Sequence, residues 1–223
     1  MRQTWNDLLF AHWPLAPEEL AQKIPAPLEL DLFEGKAWIA VTPFHMTGIR
    51  ARGFPALPGA SAFPELNVRT YVRFAEKPGV FFFSLDAASQ LAVWGARVGF
   101  RLPYFLADIE VRLNGERVRY HSQRQIGQAE LKARYGPTSE VRVREKGTVE
   151  HFLTERYCLY AANRERVWRA EIHHVPWPLQ DASAEFEINT MAAASGIEVS
   201  GPPALLHFAK RLDVLVWPLW RVA

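Results

Sequence analysis

The chain has 223 residues, 49% of them hydrophobic, with 26 Lys plus Arg against 24 Asp plus Glu for a formal charge of +2. That length and apolar content suit a single domain over 1–223 with one sizeable core, and so small a charge excludes the field a dedicated nucleic-acid binder uses. The single cysteine, Cys158, excludes an intrachain disulfide, and with no signal-peptide pattern and no apolar run long enough for a bilayer, a cytoplasmic protein without membrane association is expected.

In chain order, Pro17-Glu18-Glu19-Leu20 carries the proline and acids that favour a helix start. Trp38-Ile39-Ala40-Val41 predicts a strand. The Pro/Gly-rich stretch from Gly48 to Pro64 predicts a long loop, either a plain surface connection or a lid beside a pocket. From Glu65 to Phe74 residues alternate cleanly: Leu66, Val68, Thr70, Val72 and Phe74 on one face, Glu65, Asn67, Arg69, Tyr71 and Arg73 on the other. Val80 to Leu85 predicts the next strand, with Ser84 and Asp86 expected to join that polar row.

Farther on, Ile109 to Leu113, Asn114-Gly115 and Glu116 to Tyr120 predict a hairpin with a type I′ turn. Thr148 is placed to cap a short helix through Leu153, and Tyr157 to Tyr160 and Val167 to His173 predict strands. Together these elements describe a β-rich α+β domain, largely antiparallel, with a few short helices.

The polar row has two readings. In an open sheet it is the wet face; in a closed one it lines a pocket for a small anion or carbonyl compound. Twenty of the 26 cations are arginine, which suits bidentate recognition of carboxylates. Serine-hydrolase, phosphate-loop and dinucleotide motifs are absent. The seven histidines lack zinc-site spacing, so no metal or cofactor is expected. His173 and His174 are neighbours on a strand and point to opposite faces. Cys158 reads as a core residue, and so do the tryptophans, Trp94, Trp217 and Trp220 included.

Phe-Pro-Glu-Leu-Asn-Val-Arg-Thr-Tyr-Val (63 to 72), Phe-Phe-Ser-Leu-Asp-Ala (82 to 87), Leu-Pro-Tyr-Phe (102 to 105), Phe-Leu-Thr-Glu-Arg-Tyr-Cys-Leu-Tyr (152 to 160) and Ile-His-His-Val-Pro-Trp-Pro-Leu (172 to 179) together resemble the YqjF-like family of uncharacterised bacterial proteins. The resemblance implies an acetoacetate decarboxylase-like fold, a cone-like antiparallel β-barrel around a cavity, and makes homo-oligomerisation an expectation. Phe63-Pro64-Glu65 resembles the decarboxylase's aromatic-x-Glu segment, and Gly95-Ala96-Arg97 with Pro103-Tyr104 distantly resembles its Gly-Arg and Pro-Lys segments. Tyr104 then stands where the decarboxylase has its lysine.

A phenol cannot form an imine, so Schiff-base decarboxylation is not expected. Glu65 and Tyr104 are the candidate catalytic pair, and Asn67, Arg69, Tyr71, Ser84 and Arg97 the candidate ligand-binding groups. The leading reading is binding of a small carboxylate or carbonyl compound. The alternatives are a non-imine lyase or hydrolase acting on a keto acid, and a partner-binding protein whose cavity is filled by its own side chains.

Overall fold

A computed structural model of the chain describes residues 1–56, 61–163 and 166–223. The strands are β1 (Arg2–Leu15), β2 (Glu29–Leu30), β3 (Ala37–Arg50), β4 (Phe63–Phe74), β5 (Lys77–Ala87), β6 (Tyr104–Asn114), β7 (Arg117–Arg124), β8 (Glu130–Pro137), β9 (Cys158–Asn163), β10 (Arg166–His173), β11 (Gln180–Asn189), β12 (Leu205–Val216) and β13 (Trp220–Arg221). Between them lie helices α1 (Pro17–Ala21), α2 (Gln90–Phe100) and α3 (Val149–Thr154). Each strand predicted above is present, and so are both predicted helices. Glu19 reaches back to the Ala16 N–H at 2.9 Å, and the Thr148 hydroxyl accepts from His151 N–H at 3.3 Å.

The predicted loop is shorter than its composition suggests. β3 runs on to Arg50, β4 begins at Phe63, and the Ile49 N–H donates to Ser61 O. Residues 57–60 of that loop lie outside the described residues. The hairpin forms, but Asn114 pairs with Arg117, which leaves Gly115 and Glu116 as the central residues. Among these only Gly115 has a positive φ, +61°, as a type II′ turn requires of its first central position.

The sheet closes on itself through two sets of neighbours that share β12, β1, β3, β4 and β5. One path continues from β5 through β6, β7, β8 and β11 back to β12; the other runs through β9 and β10 to β12. Pairing is antiparallel except β5–β6 and β5–β9. The five shared strands contribute side chains to two cores. Leu9, Ile39, Val41, Leu66 and Val68 pack with Val118, Tyr120, Leu131 and Tyr135 inside the first ring. Leu8, Phe44, Phe82, Leu85, Leu159, Trp177 and Leu212 belong to the apolar cluster of the second.

Where β5 approaches β9 the backbones nearly touch at Gly79. A Cβ there would lie 2.7 Å from Cys158 Sγ and 2.8 Å from Cys158 O. Gly79→Ala is therefore expected to lower stability by about 1–3 kcal/mol through overpacking, measured as a lower denaturant midpoint at unchanged m-value. An unchanged midpoint would show that the two strands separate without penalty.

Two expectations about side chains are corrected here. Trp94, Trp217 and Trp220 are not core residues, with relative exposures of 69%, 43% and 39%. Ser84 and Asp86 do not join the polar row, because a bulge between the Val68 and Arg69 pairings shifts the register of β5. Ser84 then faces Val68 and Asp86 faces Leu66, on the first-ring side, while Phe82 and Leu85 stand opposite Arg69 and Asn67.

Candidate functional site

The polar row of β4 is not a wet face. Glu65, Asn67, Arg69 and Tyr71 are all buried, and only Arg73 reaches solvent, paired with Glu29. The second ring encloses a cavity of about 480 Å³ along this row. Glu65, Asn67 and Arg69 line it with Thr42 of β3, Tyr104 of β6, Thr154 at the end of α3, and Arg156 and His174 from the segments beside β9 and β10. Much of the remaining wall is apolar, including Leu8, Phe44, Val80, Phe82, Leu85, Leu159, Ile172 and Trp177. Leu91 and Trp94 of α2 also border the cavity, and each is 69% exposed, so they stand where it meets solvent.

Glu65 and Tyr104 come from different strands and meet inside the cavity, the Tyr104 hydroxyl donating to Glu65 Oε2 at 2.7 Å. Burial pushes the Glu65 carboxyl up to about 8; the Tyr104 bond opposes this and the Asp86 charge adds to it. At neutral pH the group is therefore protonated, accepting from Tyr104 on one oxygen and free to donate from the other. Burial, then the proximity of Glu65, drive the Tyr104 phenol well above its ordinary value, so it acts as a donor.

Arg69 lies on the same face two and four residues along. Its guanidinium sits 5.0 Å from the Phe10 ring and 5.9 Å from the Tyr71 ring, and Nε has no partner. Among the described residues no carboxylate lies within 4.0 Å of it. Thr42 Oγ1 and Asn67 Oδ1 are likewise buried without partners. A buried donor or acceptor left unmade costs about 1–3 kcal/mol, so several polar groups converge on a space whose own side chains do not satisfy them.

Three of the expected binding residues stand elsewhere. The Tyr71 hydroxyl is taken by His12 Nε2 at 2.7 Å and does not border the cavity. Ser84 Oγ is buried in the first ring without a partner. Arg97 is exposed on α2 and donates from Nε to the Tyr104 carbonyl at 2.7 Å, tying the helix to the start of β6. α2 itself was not predicted. Two glycines mask its pattern, although Ser89, whose hydroxyl accepts from Ala92 N–H at 3.3 Å, is a usable cap signal.

The sequence reading missed Thr42, Thr154 and Arg156. Arg156 pairs with Asp31 and keeps Nη2 unpartnered. Of the histidine pair, His174 borders the cavity; its Nδ1 is 2.7 Å from Val175 O, and its ring stacks on Tyr157 at 4.7 Å. No lysine lines the cavity among the described residues.

This arrangement of strands is that of the acetoacetate decarboxylase-like proteins. A solved structure of acetoacetate decarboxylase from Legionella pneumophila subsp. pneumophila str. Philadelphia 1 matches with a TM-score of 0.66 over 100% of this chain and 87% of that one, at 15% identity. A structure of the enduracididine biosynthesis enzyme MppR complexed with pyruvate matches with a TM-score of 0.70 over 100% of this chain and 90% of that one, at 10% identity. At such identities the likeness is one of fold. The chain belongs to the DUF2071 family, described as an uncharacterized conserved protein, whose pattern matches residues 2–213. It is 50% identical over 220 residues, 98% of this chain and 91% of the relative, to the uncharacterized protein YqjF of Bacillus subtilis (strain 168).

Proposed function

We propose that this protein binds a small carboxylate or carbonyl compound in the cavity of a cone-like barrel formed by the second ring of strands, as a single domain over 1–223. The observation that carries this reading is the presence on one largely apolar cavity of Arg69, without a carboxylate partner among the described residues, and of the hydrogen-bonded Glu65–Tyr104 pair. Concave, mainly apolar sites with a few convergent polar groups are what small-molecule binding uses. The MppR structure in complex with pyruvate supports the reading by fold alone.

One observation favours turnover as a second reading. A carboxyl held near pH 8 beside a phenol is suited to moving a proton at neutral pH. A lyase or hydrolase acting on a keto acid without an imine would use Glu65 as the proton-transferring group and Tyr104 as a donor to the developing oxyanion. Absence of lysine from the described wall supports the non-imine form. Cytoplasmic location and homo-oligomerisation remain parts of the proposal; no helix among the described residues is long and apolar enough to cross a membrane.

A thermal-shift screen against carboxylates, keto acids and aldehydes tests binding. A ligand present at a hundred times its Kd stabilises by about 2.7 kcal/mol, and the shift is expected to disappear in Arg69→Ala and shrink in Tyr104→Phe. Shifts that persist unchanged in both variants would place the ligand outside this cavity and defeat the proposal. For the second reading, turnover should show a bell-shaped pH dependence that Glu65→Gln removes.

A further inference from the structure

The polar groups of the cavity are not gathered at one point. Glu65 and Arg69 are four residues apart on an unbroken stretch of β4, which at about 3.3 Å per residue separates their backbones by roughly 13 Å. The Arg69 guanidinium lies between the rings of Phe10 and Tyr71, 5.0 and 5.9 Å from their centroids, and Tyr71 is two residues farther from Glu65 along β4. The Arg156 guanidinium lies 5.2 Å from the Tyr71 ring. Two guanidiniums thus mark one end of the cavity, and the hydrogen-bonded Glu65–Tyr104 pair stands well up the wall from them.

The charge at the guanidinium end is nearly balanced. Asp31 pairs with Arg156, which leaves one cation, Arg69, without a carboxylate within 4.0 Å among the described residues. Burial holds the adjacent His12 neutral. One surplus positive charge calls for one anionic group, held by Arg69 with the unpartnered Nη2 of Arg156 and Asn67 within the same wall.

Between the two polar stations Asn67 and Thr42 face the cavity on β4 and β3, while Phe82, Leu85 and Phe44 supply apolar wall beside them. Volume points the same way: at about 30 Å³ per water in the liquid, a cavity of about 480 Å³ has the space of roughly sixteen waters. A molecule of pyruvate's size would leave most of that volume as water against hydrocarbon. In α- and β-keto acids, moreover, the carboxylate and carbonyl sit on adjacent or next-adjacent carbons and cannot reach both stations.

Resting on the binding reading above, we infer that the cavity takes an elongated monocarboxylate, its carboxylate at Arg69 and Arg156, an apolar chain or ring along Phe82 and Leu85, and a hydrogen-bond-accepting carbonyl or hydroxyl at Glu65 and Tyr104. Medium-chain oxo acids and aryl alkanoates of similar length carry these features, while short keto acids do not.

Isothermal titration calorimetry on the intact chain with acetoacetate, octanoate, 7-oxooctanoate and the methyl ester of 7-oxooctanoate tests each part. Each additional buried methylene is worth about fourfold in affinity, so 7-oxooctanoate is expected to bind at least a hundredfold more tightly than acetoacetate. The ester, lacking the charge, is expected to lose at least tenfold, and octanoate, lacking the carbonyl, a measurable fraction of the affinity. These comparisons are made on one wild-type protein, so misfolding of a variant cannot imitate them. If acetoacetate binds as tightly as 7-oxooctanoate, the elongated-ligand inference is overturned while the small-carboxylate reading stands. If the acid and ester bind alike, the head-group assignment is wrong; if no carboxylate binds, both readings fall.

Discussion

Between pH 6.5 and 8 the wild-type protein is expected to lose about 1.5 kcal/mol of stability relative to Glu65→Gln. Glu65 titrates near 4.5 when exposed and near 8 in the folded state, because burial disfavours its charged form. Between those values the folded protein holds a proton that the unfolded chain has released, so stability falls as pH rises and levels off above about 8. His12, His45, His174 and His207 act in the opposite direction around and below about 6.5, since burial lowers all four and the unfolded chain binds their protons first. Because those histidines are common to both proteins they cancel from the comparison, and the difference between wild type and Glu65→Gln belongs to Glu65, at about 1.4 kcal/mol per unit near pH 6.5 and about half that by pH 8. Urea unfolding at pH 6.5, 7.2 and 8 measures the slope. Equal slopes in wild type and Glu65→Gln would mean that the carboxyl titrates normally and is not the neutral donor argued for above.

Asp86→Ala is expected to be the more damaging substitution, at about 3–5 kcal/mol, because it strands a buried cation. Arg124 grips Asp86 with two bonds, Nε to Oδ2 at 2.9 Å and Nη2 to Oδ1 at 2.6 Å, with side-chain exposures of 6% and 0%. The guanidinium also packs over Phe105, 3.8 Å from the ring centroid. Replacing both partners at once, Asp86→Leu with Arg124→Met, removes the charges together and is expected to cost much less than the single change. Denaturant midpoints for the two single variants and the double give the coupling by a mutant cycle. A single-variant cost below about 1 kcal/mol would show that water reaches the pair. The pair also bears on the cavity: removing the Asp86 charge takes away one influence holding Glu65 up, so Asp86→Asn should shift the Glu65 titration downward.

Much of the scaffold was legible along the chain because its signals are local. Alternation from Glu65 to Phe74, the proline and acids opening α1, and Thr148 ahead of α3 each depend on a few neighbouring residues. The glycine turn after Asn114 was legible too, apart from its centre, which pairing with Arg117 displaced by one residue. The resemblance singled out Glu65 and Tyr104 as candidate catalytic residues, and the fold joins them by a hydrogen bond that no local pattern announced. The grouping of Ser84 and Asp86 with Arg69 failed for a definite reason: strict alternation assumes an unbroken ladder, and one bulge in β5 moved both to the opposite face.

Taken by itself, the sequence determined the composition of each face, the absence of a lysine at position 104, and a formal charge of only +2. It could not decide whether the row from Glu65 to Tyr71 met water or a cavity, since either environment accepts the same alternation. Closure of the sheet through β9, β10 and β12 decided that, by covering the polar face of β4 with strands far away in the chain. Closure is also what makes the chemistry: burial pushes Glu65 up to about 8, leaves Arg69 without a carboxylate within 4.0 Å among the described residues, and brings Arg156 to the same tyrosine ring. These are properties of long-range contact and low dielectric, which no local pattern of residues encodes.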